Sequence, residues 1–142
     1  MDYQLEVLTI PVADVNLAKE FYVDKLGFLI DVDYGPTPEF RVVQLTPPGS
    51  GSSIQFGVGL TDAAPGSARS TYLVVNDIET AHREFGDRQV PVSGIFHKAD
   101  RANWVGRFND GADPERTDYA SFISFADPDR SEEHTSELQS QR

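Results

Sequence analysis

Imidazoles, thiols and activated hydroxyls are the side chains most able to do chemistry, and this chain is sparing with all three. His82, His97 and His134 are its only histidines, and it has no cysteine. The histidines are too scattered to read as a metal-ligand triad. His97 closes an apolar run and opens a polar stretch, which makes it the candidate acid/base group, with a solvated loop histidine as the plainer reading. His82 sits on an amphipathic segment between Ala81 and Arg83 and reads as surface. Ser70, Ser93 and Ser121 have no histidine and carboxylate partners in sequence, so no nucleophilic set is visible. Residues 49–53, Gly-Ser-Gly-Ser-Ser, lack the lysine and the strand-to-helix setting of a phosphate loop. Without cysteine, disulfides, thiolate metal sites and a thiol nucleophile are excluded.

Binding is better provided for than catalysis. Trp104, Phe108 and Tyr119 fall in or beside a long polar insertion, where aromatic side chains suit a lid over an apolar cavity. The alternative is that Trp104 simply anchors the insertion to the body. Arg107 and Arg116 have the forked geometry for a carboxylate or phosphate, although solvent-facing arginines are the ordinary case. Phe40, Val42 and Gln44 share one face of a strand and Arg41 and Val43 the other. One of those faces should line a pocket, and alternation alone does not choose between them.

The net charge is −11 with dispersed acidic residues, so the chain lacks the basic face that nucleic acid needs. No apolar run approaches the roughly 20 residues of a membrane span. No signal peptide is visible at the start, and a cytoplasmic location is expected.

Two stretches place these residues. Val12, Asp14, Val15, Ala18 and Tyr22 are matched without a gap, 63 residues later, by Val75, Asp77, Ile78, Ala81 and Phe85. A β-branched run halts at an aspartate in each copy, and an amphipathic helix follows. Such a repeat means two copies of one supersecondary unit around a shared cleft. Asp14 and Asp77 fit N-caps. Leu17, Ala18, Phe21, Tyr22 and Leu26 form the first helix stripe, closed by Gly27. Strands are expected over Leu5–Val12, Phe28–Tyr34, Phe40–Thr46 and Ser53–Val58, giving a βαβββ module over residues 3–60. Residues 61–69 read as a linker. The second module, residues 70–129, has strands at Ser70–Val75, Val90–Phe96 and Tyr119–Ala126, with residues 97–118 as the insertion. The fold class is α+β: tandem βαβββ modules forming curled mixed sheets around a central cleft.

The last strand is expected to be missing or replaced. Residues 130–142 carry one large apolar side chain, Leu138, which is a poor composition for a strand in mid-sheet. The segment from Arg130 to Ser140 also resembles the translation of a sequencing adapter, which would put the natural boundary at Asp129. A natural polar tail is the alternative. Loss of a central strand would leave backbone groups unpaired and the chain an inactive fragment.

Tandem modules carrying Ile-Pro-Val-Ala-Asp-Val, Ala-Lys-Glu-Phe-Tyr and Lys-Leu-Gly-Phe resemble the vicinal oxygen chelate superfamily, which includes glyoxalase I, extradiol dioxygenases and bleomycin-binding proteins. The resemblance covers residues 3–129, and residues 119–129 resemble the family's seventh strand and turn. It implies a pocket enclosed by the sheets, often in a homodimer, with a divalent metal such as Zn, Ni, Mn or Fe in the enzymes. The family's metal positions fall on Val7, Gln55, Ser70 and, in the tail, Glu137. Valine donates nothing and neutral Gln and Ser are weak ligands, so no cofactor is expected. The function this implies is small-molecule binding through Gln55, Ser70, His97, Trp104, Phe108 and Tyr119, with enzymatic activity left open. A metal-dependent glyoxalase or dioxygenase with a truncated ligand strand is the alternative.

Overall fold

Two aspartates start the two helices, as their positions in the repeat require. The computed structural model of the chain describes residues 1–69, 71–99, 107–129 and 136–140, the last five through their backbone. The Asp14 carboxylate accepts from the Leu17 amide at 3.0 Å. Asp77 accepts from the amides of Glu79 at 3.0 Å and Thr80 at 3.2 Å. These bonds, those from Thr80 foremost, hold the Asp77 carboxyl below its ordinary range. The described residues divide into two units, one of residues 1–68 with 127–129 and one of 69–126 with 136–140.

In the first unit β1 (Val7–Thr9) leads to α1 (Val15–Lys19), which continues as a π-helical segment, Glu20–Lys25. Gly27 then takes φ 76°, the left-handed conformation that lets glycine end a helix. β2 (Leu29–Thr37), β3 (Phe40–Thr46) and β4 (Ser53–Val58) follow, in the spatial order β1-β4-β3-β2. β1 runs parallel to β4, and the other pairs are antiparallel. This is the expected βαβββ module. Gly57 is required where it stands, because a Cβ there would overlap the Arg41 carbonyl. The helix stripe differs from expectation in one residue: Leu17 is half exposed, and Val15 is buried instead.

Packing under the helix fixes which sheet face is which. Val43, Leu45 and Phe56 are fully buried. The Tyr22 ring lies 5.5 Å from that of Phe28 and 5.8 Å from that of Phe56. Its hydroxyl donates at 2.6 Å to Asp127, itself buried. Asp127 also accepts from the Asp129 amide, and Asp129 accepts from the Ala13 amide at 2.9 Å. Burial pushes the Asp129 carboxyl up. On the same side of the sheet Asp33 receives Lys19 at 2.7 Å and Arg41 at 3.0 Å. Hydrogen bonds from Arg41 and then Lys19 lower its pKa to about 2.

The second unit holds β5 (Tyr72–Val75), α2 (Ile78–Asp87), β6 (Phe96–Lys98), β7 (Phe108–Asp110), β8 (Ser121–Phe125) and β9 (Ser136–Ser140). Their order is β5-β9-β8-β6-β7. Ile78, Ala81 and Phe85 are buried, with the Phe85 ring edge-on to Phe125 at 5.3 Å. Two strand expectations shift. Val90–Phe96 makes only an isolated bridge, Val92 to Phe125, and the strand proper is β6. Pro91 has no N–H to give a ladder, and Gly94 stiffens nothing. Residues 97–118 are not wholly irregular, since β7 pairs with β6 there.

The expected gap in the sheet is filled, which corrects the reading of residues 130–142 as a strandless tail. β9 lies parallel to β5 and antiparallel to β8. Ladder bonds are made by the backbone, so a polar sequence can complete a slot whose two flanks need partners.

Two outcomes follow from this packing. The folded pKa of Asp33 lies below its ordinary 3.8, so its contribution is complete above that value and fades as pH falls toward about 2. Urea denaturation of Asp33→Asn should show a loss of about 1 kcal/mol at neutral pH, the exposed partners limiting it, and the gap to wild type should close near pH 2. Position 138 is paired on both sides, with Leu73 and Ile123. Leu138→Pro, lacking an N–H in a central strand, should lower the urea midpoint by at least about 1 kcal/mol of stability. An unchanged midpoint would argue that β9 adds nothing.

Candidate functional site

Register assigns every residue of the first sheet to a face. Gln44 pairs with Gln55, Val42 with Gly57, and Leu45 with Ile54. Paired residues share a face and neighbours along a strand alternate. Since Val43, Leu45, Ile54 and Phe56 are taken up in the core on the helix side, Phe40, Val42, Gln44, Thr46, Ser53 and Gln55 belong to the opposite face. The choice that sequence left open is thereby made. β2 adds Leu29, Val32 and Tyr34 to that open face through their partners Thr46, Gln44 and Val42. β1 adds Val7 and Thr9.

The open face has two halves. Its apolar half is Val32, Tyr34, Phe40 and Val42, with the Tyr34 and Phe40 rings 6.5 Å apart and edge-on. Val32, Tyr34 and Phe40 are all exposed, and a contiguous exposed apolar patch of this kind marks an interaction site. Its polar half is Thr9, Gln44, Thr46, Ser53, Gln55 and Asp31. Gln55 Nε2 donates to Thr9 Oγ1 at 2.9 Å. The Thr46 hydroxyl bonds Asp31 Oδ2 and lies 2.6 Å from Ser53 Oγ. Asp31 alternates with Leu29 onto this face, and the register slip between Ile30 and Val32, a bulge, turns Val32 and Tyr34 to it as well.

The sequence candidates are thus separated. Gln55 is on the open face. Ser70 and Trp104 lie outside the described residues. His97 is half-buried on β6 opposite Ser121, whose face also carries Ile123 and Phe125 and turns toward α2. Its Nδ1 is 2.8 Å from the Gly111 carbonyl oxygen. Phe108 is on the other face of that sheet, its ring 5.2 Å from Phe96, which in turn stacks on Phe122 at 5.7 Å. His97 and Phe108 therefore do not share a surface. Tyr119, with φ 59°, lines a recess of about 160 Å³ with Lys98, Asp113, Thr117, Asp118 and Ala120. Arg116 is bonded to Glu79, which raises its pKa, and Arg107 is exposed.

The metal positions are equally uneven. Val7 has no donor atom, and Gln55 is neutral. Glu137 stands opposite Tyr72 in β9, as Gln55 stands opposite Thr9 in β4, and Tyr72 is the repeat counterpart of Thr9. Its backbone therefore occupies the place equivalent to Gln55. Among the described residues no three His, Cys, Asp or Glu side chains gather in a metal-binding group. Sequence reasoning missed Asp31, Val32, Tyr34, Thr46 and Ser53. Simple alternation in β2 hid Val32 and Tyr34, because the bulge moves them out of step with Leu29 and Asp31.

No family model matches the chain, and no curated protein sequence matches it. Solved structures do. TnmS3, an antibiotic-binding protein from Streptomyces sp. CB03234, superposes with a TM-score of 0.73 at 23% identity, covering 99% of this chain and 98% of its own. A glyoxalase/bleomycin resistance protein from the same organism gives 0.68 at 24% identity, over 96% and 99% of the two chains. A glyoxalase/bleomycin resistance protein/dioxygenase superfamily member from Sphaerobacter thermophilus gives 0.69 at 23%, over 98% of each. The fold is that of the glyoxalase/bleomycin resistance/dioxygenase proteins, the vicinal oxygen chelate fold. No described helix is long and apolar enough to cross a membrane.

Proposed function

We propose that this chain is a small-molecule-binding protein that holds a partly aromatic ligand on the open face of its first sheet, without a catalytic metal. The observation that carries the reading is the pairing, on one face, of exposed aromatic and β-branched side chains with an ordered polar stripe. Ligand sites commonly combine an apolar wall with a few placed polar groups. The likeness to an antibiotic-binding protein over nearly the whole chain supports a binding role. The functional unit in this reading is a homodimer, as is frequent among binders of the family it resembles, in a cytoplasmic location.

Binding should be lost from the face that does the work. In a thermal-shift screen of naphthalene and acridine derivatives, hits should stabilise the wild type. For any hit, Val42→Asp should abolish the shift and Tyr34→Ala should weaken binding about tenfold, the scale of one lost aromatic contact. Leu17→Ala, on the exposed side of α1, should leave it unchanged. Equal effects of all three substitutions would count against the site.

A metal-dependent enzyme is the second reading, favoured by one observation, the register of Glu137 at the place equivalent to Gln55. Calorimetric titration with Zn²⁺, Ni²⁺ and Mn²⁺ separates the two. The binding-protein reading expects no micromolar one-to-one site at neutral pH. Such a site, abolished by Glu137→Gln, would falsify it and make the enzyme the better account.

A further inference from the structure

On the polar half of the open face, three side chains form a hydrogen-bond chain with a direction. The Thr46 hydroxyl gives its single proton to Asp31 Oδ2. In the 2.6 Å contact between Thr46 and Ser53 the proton must then come from Ser53. Both hydroxyl protons run toward Asp31, so the chain starts at the buried Ser53 and ends on an exposed acceptor, the Asp31 carboxylate. At the neighbouring strand Gln55 Nε2 is turned to Thr9, leaving Gln55 Oε1 as a further acceptor.

Charge points the same way. Lys19, Lys25 and Arg41 are the only lysines and arginines of residues 1–68, which contain no histidine. Lys19 and Arg41 bond Asp33 on the helix side of the sheet, and Lys25 sits on the π-helical segment. Within the described first unit, none of the three is on the open face. Among the described residues of the first unit, Asp31 is the charged group that register assigns to this face, on a chain of net charge −11. An anionic ligand would meet no countercharge from these residues, while an ammonium group would meet a carboxylate and the neutral Gln55 oxygen.

We propose that Asp31 is the specificity-determining residue of this site, selecting ligands that carry a protonated amine beside an aromatic ring system. The ring lies on Val32, Tyr34, Phe40 and Val42, and the amine reaches Asp31 Oδ1. Thr46 and Ser53 are positioning residues, since their protons fix the carboxylate orientation. This inference rests on the binding role proposed above.

Calorimetry on the full chain with three probes of one ring system tests it: 1-naphthylmethylammonium, 1-naphthoate and neutral 1-naphthol. The ammonium compound should bind about tenfold or more tightly than the carboxylate, the scale of a charge-assisted hydrogen bond. Asp31→Asn, which can still accept from Thr46, should remove that preference, weakening the ammonium compound far more than 1-naphthol. Thr46→Val should reduce the preference without reversing it. Equal binding of the ammonium and carboxylate probes by wild type, or a preference that survives Asp31→Asn, overturns the assignment to Asp31 alone. Binding of none of the three overturns the open face as a ligand site, and the inference with it.

Discussion

The alternation of β3 and β4 under the first helix constrains everything else in the first unit. Val43, Leu45 and Phe56 are fully buried, Phe56 against the Tyr22 ring, and a slip of one residue in either strand would turn that whole set to the other side. Because the core cannot tolerate the slip, Phe40, Val42, Gln44 and Gln55 are committed to the open face. The buried hydrogen bond from Tyr22 to Asp127 reinforces the arrangement, tying the residues after β8 to the first helix. The candidate site is therefore a consequence of the core, being what remains when the helix has taken its half of the sheet.

Charge follows the same partition. The cations of the sheet and α1 converge on Asp33 on the helix side, whereas Asp31, two residues earlier, keeps to the opposite side because the bulge lies between them. Two aspartates so close in sequence thus have opposite roles. One is neutralised in a structural ion pair, its pKa driven down by Arg41 and Lys19. The other bonds only a neutral hydroxyl among the described contacts, on a face without cations. A β-bulge is a common device for presenting a side chain out of phase.

The second unit repeats the strand order of the first, with β9 in the role of β4 and β7 added at the far edge. Its helix side is built from Phe85, Ile123 and Phe125, and its other side carries the Phe96, Phe108 and Phe122 cluster. His97 falls on the helix side, bonded to a backbone carbonyl, a setting that suits a structural histidine better than a free acid/base group. The loop before β8 holds two non-glycine residues, Arg116 and Tyr119, at positive φ. Asp113 secures that loop through the Thr117 amide at 2.9 Å.

The sequence by itself determined what local rules can determine. The 63-residue repeat, the aspartate caps, the glycine stop at Gly27 and the β3 and β4 boundaries all depend on neighbours a few residues away, so they were legible. Tertiary structure decided the rest. Which face of β3 is open depends on what the helix covers, and a bulge at Asp31 depends on pairing with a strand fourteen residues on. The place of β9 depends on two flanking strands whose unpaired backbone groups accept any chain able to supply N–H and C=O, whatever its side chains. Those are long-range conditions, and no short window of residues contains them.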